Sequence, residues 1–300
     1  MQKLAEKLRA IAPDRLFENE PMSKHTTFRV GGPADLMFYP ESREEIIAAI
    51  EAAKAENVPV CVIGNGSNLL VRDGGIRGLV IALGDEYARV CVDGDRIYAQ
   101  AGARLSRIAA AAQENSLTGF EFAGGIPGTL GGGCMMNAGA YGGQLSDVLV
   151  SCQVLLDGCV KNCSLEDMEM GYRTTMPLKK GGVVLSAEFK LTKGDPEAIA
   201  ERMRDLALRR REKQPLNMPS AGSTFKRPEG HFAGALIEGC GLKGYSVGGA
   251  QVSEKHAGFV VNTGNATAQD ILNLIEHIKN TVRAEKGVEL EPEVRIIGED

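Results

Sequence analysis

Two glycine-rich stretches constrain this chain more than any other feature. Gly64-Asn65-Gly66-Ser67-Asn68 follows the apolar run Val58-Pro59-Val60-Cys61-Val62-Ile63. Sixty residues later, six glycines fall within the ten positions from Gly124 to Gly133, which run on into Asn137-Ala138-Gly139-Ala140-Tyr141-Gly142. Main chain without a Cβ admits close approach, and successive N–H groups in such loops converge into an anion-binding concavity. Two such stretches suggest a ligand with two phosphates, or two phosphorylated ligands. The 37 glycines among 300 residues follow no G-X-Y period, so the excess over the usual ~7% is assigned to loops of a globular protein.

The first stretch begins like a dinucleotide fingerprint, but its third glycine is absent. Leu69-Leu70-Val71 then reads as a strand. A Rossmann unit needs a helix there to hold the pyrophosphate, so both points speak against that fold.

The remaining pattern is mixed. Leu4, Leu8 and Ile11 mark an amphipathic helix over Met1 to Ala12, and Ser42-Arg43-Glu44-Glu45 is a capping box opening a helix to Glu56. Hairpins are expected at Asp93-Gly94-Asp95 and Asp157-Gly158, a helix over Leu105 to Glu114 and a strand over Val183 to Leu191. A helix from Asp195-Pro196-Glu197 runs to about Lys213, and its Arg209-Arg210-Arg211 reads as a solvated end favoured by the macrodipole. Beyond it lie a helix near Phe232–Glu238, a strand at Phe259–Asn262 with His256 at its start, a helix from Thr267 to Lys286 and a last strand through Val294–Ile297. The expected class is α+β, with a domain over 1–194, itself divided near residue 84, and a smaller one over 195–300.

A formal charge of −5 and a pI near 5.6 leave no basic field for nucleic acid. No apolar run approaches the ~20 residues of a membrane span, and the amphipathic start is not a signal peptide. Seven cysteines without a C-x-x-C pair point to a reduced, cytoplasmic protein. Cys61, Cys91 and Cys152 read as small core residues, while Cys159 and Cys163 bracket a hairpin. With His25, His231, His256 and His277 dispersed, no metal site is expected. No feature speaks for an oligomeric state.

Eight collinear strings carry a family resemblance. His25-Thr26-Thr27-Phe28-Arg29-Val30-Gly31-Gly32-Pro33-Ala34-Asp35 resembles the entry signature of the UDP-N-acetylenolpyruvoylglucosamine reductases, as does Val62 to Leu70. Gly125-Ile126-Pro127-Gly128 with Asn137 to Gly142 is similar to that family's central motif. Gly171-Tyr172-Arg173, Ala221 to Lys226, Gly241-Leu242-Lys243-Gly244, Val252 to His256 and Leu290 to Arg295 follow in order. The resemblance implies a bacterial flavoenzyme of peptidoglycan synthesis. Its two-subdomain FAD-binding fold would be of the vanillyl-alcohol-oxidase type, with a smaller C-terminal substrate-binding domain. NADPH would reduce a non-covalent FAD, which would in turn reduce UDP-N-acetylglucosamine enolpyruvate to UDP-N-acetylmuramate.

Carried over residue by residue, the resemblance makes Arg173 the partner of the substrate carboxylate, Ser223 the proton donor and Glu293 a second carboxylate-side group returning to the active site. Gly64, Asn65, Gly66, Ser67, Asn68, Gly125, Gly128, Thr129, Asn137 and Ala138 are implied at FAD, and Lys226, Lys243 and Lys255 at the UDP-sugar. Many relatives carry Asn after the lysine of the Gly-Ser-x-Phe-Lys motif, where this chain has Arg227. No tyrosine-bearing insertion falls between Lys243 and Phe259, as in the family's shorter subgroup. Two other readings use the same motifs: an oxidase of this fold passing electrons to oxygen, and a flavin-free nucleotide-sugar binding module.

Overall fold

The computed structural model describes residues 1–300, and the chain divides into two compact units. The first holds Met1–Phe17, Leu36–Asn65 and Gly78–Arg210, and the second holds Glu18–Asp35, Gly66–Arg77 and Arg211–Asp300.

In the first unit, helices α1 (Gln2–Ile11) and α2 (Arg43–Ala55) join a sheet core through Leu4, Leu8, Ile46, Ala49, Phe38, Leu79 and Ile81. Val60–Ile63 runs parallel to Ile76–Ala82 in this sheet, and Pro33–Phe38 and Leu16–Pro21 extend it in that order. Helix α2 starts where the capping box places it, with Ser42 Oγ accepting from the Glu45 N–H at 3.1 Å. The Glu45 carboxylate takes two bonds from the Arg15 guanidinium, at 2.7 and 2.9 Å, which hold its pKa below the usual value.

The rest of this unit is an antiparallel sheet of five strands, ordered Cys159–Ser164, Leu149–Leu156, Val183–Lys190, Arg96–Gln100 and Val90–Asp93. One face buries Ile97, Val154, Val184 and Phe189 with α3 (Leu105–Glu114), α4 (Leu130–Met135) and α5 (Met176–Lys180). Phe120 meets Phe189 edge to face at 5.0 Å. Helix α6 (Pro196–Lys213) follows, burying Ile199, Leu206 and Arg210.

Four local expectations in this unit need correction. The second glycine stretch is not all loop, since Gly131, Gly132 and Gly133 lie inside α4. Glycine costs about 1 kcal/mol in a helix, but a methyl at Gly131 would sit 3.0 Å from the Ala101 Cβ and one at Gly133 3.1 Å from Leu145. Absence of side chains thus lets α4 press onto the sheet. Cys91 is exposed, because strand alternation sets it on the face opposite to Ile97 and its neighbours. Cys159 and Cys163 lie on one strand. Arg210 is buried, 8% exposed, whereas a solvated helix end was expected.

In the second unit, α7 (Ala233–Gly239) and α8 (Ala268–Lys286) cover a small antiparallel sheet ordered Ser246–Val247, Ala250–Val252 and Val260–Asn262. Ile237, Val252, Val260, Ile271, Leu274 and Ile278 form its core with Phe28 and Leu70 from early in the chain. The start of α8 is capped twice. Thr267 and Asp270 form a capping box, and the Asp73 carboxylate accepts from the N–H groups of Ala268 and Gln269 at 2.8 and 3.0 Å. Arg295–Ile297 pairs in parallel with Leu69–Val71. His256 lies in a turn and not at a strand start; its Nδ1 accepts from the Gly258 N–H at 3.0 Å. No helix of the chain is long and apolar enough to cross a membrane.

Candidate functional site

Within the first unit, part of the first glycine motif meets the second. Residues 128–131 are pinned by main-chain bonds to 101–105: Leu105 N–H to Gly128 O, Leu130 N–H to Ala103 O and Gly131 N–H to Ala101 O, at 2.8–3.1 Å. Asn65 Nδ2 donates to Pro127 O at 2.6 Å. A methyl built on Gly64 would lie 2.1 Å from Thr129 Oγ1, so the missing side chain is what admits the threonine. That hydroxyl is buried and has no hydrogen-bond partner. A buried polar atom left unpaired is uncommon and calls for a reason.

Three non-glycine residues with positive φ gather in the next segment: Asn137 (41°), Tyr141 (53°) and Arg173 (56°). Such conformations cost of order 1–3 kcal/mol and concentrate at functional sites. Asn137 holds them in place. Its buried amide donates to Ser146 Oγ at 3.2 Å and Gly171 O at 3.4 Å and accepts from the Ser146 N–H at 3.0 Å, and its carbonyl accepts from Arg173 Nη1 at 3.4 Å. The Asn137 side chain is therefore engaged with the protein, and the main chain of Ala138 is bonded as well, its N–H donating to Gly133 O at 2.9 Å and its carbonyl accepting from the Leu145 N–H at 3.0 Å. The Arg173 guanidinium lies 5.1 Å from the centre of the Tyr172 ring.

Arg210, which the sequence reading assigned no role, belongs to this group. Its guanidinium lies 5.6 Å from the centre of the Tyr141 ring, Nη1 would be 2.6 Å from a methyl on Gly125, and Nε is buried without a hydrogen-bond partner. A signal was present: Ile199, Met203, Leu206 and Arg210 recur at the 3.6-residue period of one helix face.

The second unit carries the rest of the first glycine motif. Gly66 adopts φ +60°, where a methyl would strike His25 O, and its carbonyl accepts from the Thr27 N–H at 3.3 Å. Thr27 Oγ1 is also buried and unpartnered. Asn68 is tied to the Glu293 segment, with Nδ2 donating to Glu293 O at 3.1 Å and its carbonyl accepting from the Arg295 N–H at 2.9 Å. Segments 224–226 and 291–293 run side by side through Glu293 N–H to Thr224 O and Lys226 N–H to Glu291 O, both 2.8 Å. Exposed Ser223 thus precedes the residue bonded to half-buried Glu293. Thr224 is fixed in turn by accepting from the Val260 N–H at 3.0 Å. Ser223 and Glu293 belong to this unit, and Arg173 to the other.

Three lysines of the second unit have a protein partner: Lys226 pairs with Glu291, Lys243 with Glu238 at 2.6 Å, and Lys255 donates to Arg211 O at 2.6 Å. Arg227 stacks over Phe232 at 4.1 Å.

These donors suit a cofactor that presents several acceptor oxygens. In the first unit Thr129 Oγ1 and Arg210 Nε are unpaired polar atoms, and Gly125 beside the Arg210 guanidinium carries no side chain. The residues present therefore fit FAD.

Comparison with known proteins agrees. Residues 34–164 match the family model described as FAD binding domain, and 214–297 match that of the UDP-N-acetylenolpyruvoylglucosamine reductase C-terminal domain. The chain is 51% identical to the UDP-N-acetylenolpyruvoylglucosamine reductase of Caldanaerobacter subterraneus subsp. tengcongensis over 298 residues, 99% of this chain and 98% of that one. It is likewise 51% identical to that of Clostridioides difficile, covering 98% and 97%. The crystal structure of UDP-N-acetylenolpyruvylglucosamine reductase from Thermus caldophilus superposes with a TM-score of 0.81 at 36% identity, covering 92% of this chain and 97% of that one. Alkyldihydroxyacetonephosphate synthase shares the fold alone, with a TM-score of 0.51 at 18% identity over 64% of this chain and 41% of that one. The fold is thus α+β, an FAD-binding fold of the vanillyl-alcohol-oxidase type with an appended C-terminal domain, and the chain belongs to the UDP-N-acetylenolpyruvoylglucosamine reductase family of FAD-dependent oxidoreductases.

Proposed function

We propose that this chain uses NADPH to reduce UDP-N-acetylglucosamine enolpyruvate to UDP-N-acetylmuramate, a cytoplasmic step of peptidoglycan synthesis on which cell shape and division depend. Functionally, residues 1–194 serve FAD, and the UDP-sugar is served from within residues 195–300. FAD, when bound, would supply two-electron hydride chemistry between NADPH and the terminal CH₂ of the enol ether. Negative charge then builds on the substrate carboxylate, and Arg173 stabilises it through a guanidinium fork. Glu293 shares a proton with the same carboxylate, since two ionised carboxylates cannot lie close together cheaply. Ser223 gives a proton to the carbon beside the carboxylate, completing the lactyl ether. Lys226, Lys243 and Lys255 meet the sugar diphosphate, releasing Glu291, Glu238 and Arg211 O as they do so.

For FAD, the proposed contacts are the main chain of Gly64 to Asn68, Gly125 and Gly128, the Thr129 hydroxyl, and the main chain of Asn137 and Ala138. The observation that carries the reading is the pairing of segments 224–226 and 291–293, which fixes the Ser223 and Glu293 motifs in one register. Rapid mixing of the holoenzyme with NADPH, then with the enolpyruvyl sugar, tests it. Ser223→Ala leaves flavin reduction unchanged and slows flavin reoxidation by substrate roughly 10²–10⁴-fold, the share of a general acid. Slowing of the NADPH step instead, or peroxide formation without sugar turnover, would overturn it.

A further inference from the structure

We propose that Arg210 is a cofactor-binding residue whose guanidinium pairs with an anionic oxygen of FAD beside the bare Cα of Gly125; this rests on the flavoenzyme reading above. Arg210 lies between the two matched family regions, 34–164 and 214–297, so neither accounts for it. It is 8% exposed, and its Nε is buried with no acceptor. A guanidinium has five N–H donors and cannot shed its charge, so burial with an orphaned donor is costly unless a ligand completes it. The Tyr141 ring, 5.6 Å away, attracts the cation through its π face but leaves the Nε donor unmet.

The placement is specific. A methyl on Gly125 would lie 2.6 Å from Nη1, 3.0 Å from Cζ and 3.2 Å from Nε, so the guanidinium occupies the space a side chain would take. Gly125 is itself exposed, and the orphaned Thr129 hydroxyl lies four residues on. Tyr141 is held at positive φ in the segment that Asn137 organises. A fixed cation, an open glycine and an unmatched hydroxyl together describe a site for an oxygen-rich anion.

FAD offers such oxygen at its pyrophosphate and on its ring once reduced, and experiment separates the two. Apoprotein of the wild type, Arg210→Met and Arg210→Lys is titrated with FAD and with riboflavin, and the midpoint potential of each FAD complex is measured. The expected result is at least about tenfold weaker FAD binding for Arg210→Met, the weight of a charged hydrogen bond, with partial recovery in Arg210→Lys. Unchanged riboflavin affinity and potential assign the contact to the pyrophosphate. Weaker riboflavin binding and a lower potential assign it to the ring. Gly125→Ala, which leaves the arginine in place but displaces its guanidinium, also weakens FAD, and with Arg210→Lys it carries the measurement if Arg210→Met does not fold. Wild-type affinity and potential in the variants, whatever their melting temperatures, would overturn the proposal and leave Arg210 a structural cation. A wild-type apoprotein that takes up no flavin would remove the flavoenzyme reading and this one together.

Discussion

Gly64→Ala tests whether the two glycine motifs are fitted to each other. The new methyl would lie 2.1 Å from Thr129 Oγ1, 3.3 Å from its Cβ and 3.6 Å from its Cγ2. Ordinary van der Waals contact begins near 3.4 Å, so the hydroxyl must retreat by more than an ångström while main-chain bonds on either side hold residues 128–131. Overpacking of this kind costs about 1–3 kcal/mol, and at about 2–4 °C per kcal/mol for a domain of this size the apoprotein should melt roughly 2–12 °C lower. Thr129→Ala removes the obstructing oxygen. It loses no hydrogen bond, since Oγ1 has no partner, and on its own costs about 1 kcal/mol for the lost methyl. Because the threonine is the obstacle, the double variant Gly64→Ala/Thr129→Ala recovers at least about 1 kcal/mol relative to the sum of the singles, within the range of direct-contact coupling. Urea unfolding of the four apoproteins measures the cycle. Additivity within about 0.5 kcal/mol would show that the two residues do not compete for one space.

Three further outcomes follow from the structure. Asp73→Ala removes both acceptors from the start of α8 and lowers stability by about 1–2 kcal/mol in urea unfolding. Burial, first among its causes, holds the His256 pKa below the ordinary value, so its neutral form favours the fold. That stability is complete above the unfolded pKa of about 6.5 and is lost as pH falls through the folded value; His256→Asn therefore flattens the decline of unfolding free energy below neutrality, and an unchanged pH profile would refute this. Iodoacetamide should label Cys91 and Cys159, which are exposed, and spare Cys134 and Cys152, which are buried, Cys152 with its pKa raised by the hydrogen bond with Cys134 and by burial; peptide mass spectrometry reads the pattern.

Much of the architecture was legible because local signals and tertiary packing agree. The N-cap at Ser42, the helix start at Thr267, the turns at Asp93-Gly94 and Asp157-Gly158 and the strand after the first glycine motif all appear where their residues place them. The misreadings differ in origin: the glycine helix turns on tertiary neighbours invisible in the local sequence, whereas strand alternation at Cys91 and helix periodicity at Arg210 carried a local signal. Within α4, Gly131 packs against Ala101, and Gly133 against Leu105 and Leu145. Arg210 is buried because Tyr141 and Gly125 lie beside it. At the site, motif order pointed to Arg173, Ser223 and Glu293. The orphaned hydroxyl of Thr129 could not be seen in it, because an unpaired atom is a property of surroundings and not of spacing.

The parallel ladder between Leu69–Val71 and Arg295–Ile297 has a consequence during synthesis. Some 225 residues separate its two sides, which at ~5–20 residues per second is roughly 10–45 s of translation. For that interval the nascent chain holds an apolar edge with no partner, the kind of edge on which chains associate wrongly. Slowing the ribosome downstream of codon 71 should therefore lower the soluble yield of this protein and leave the finished molecule unchanged.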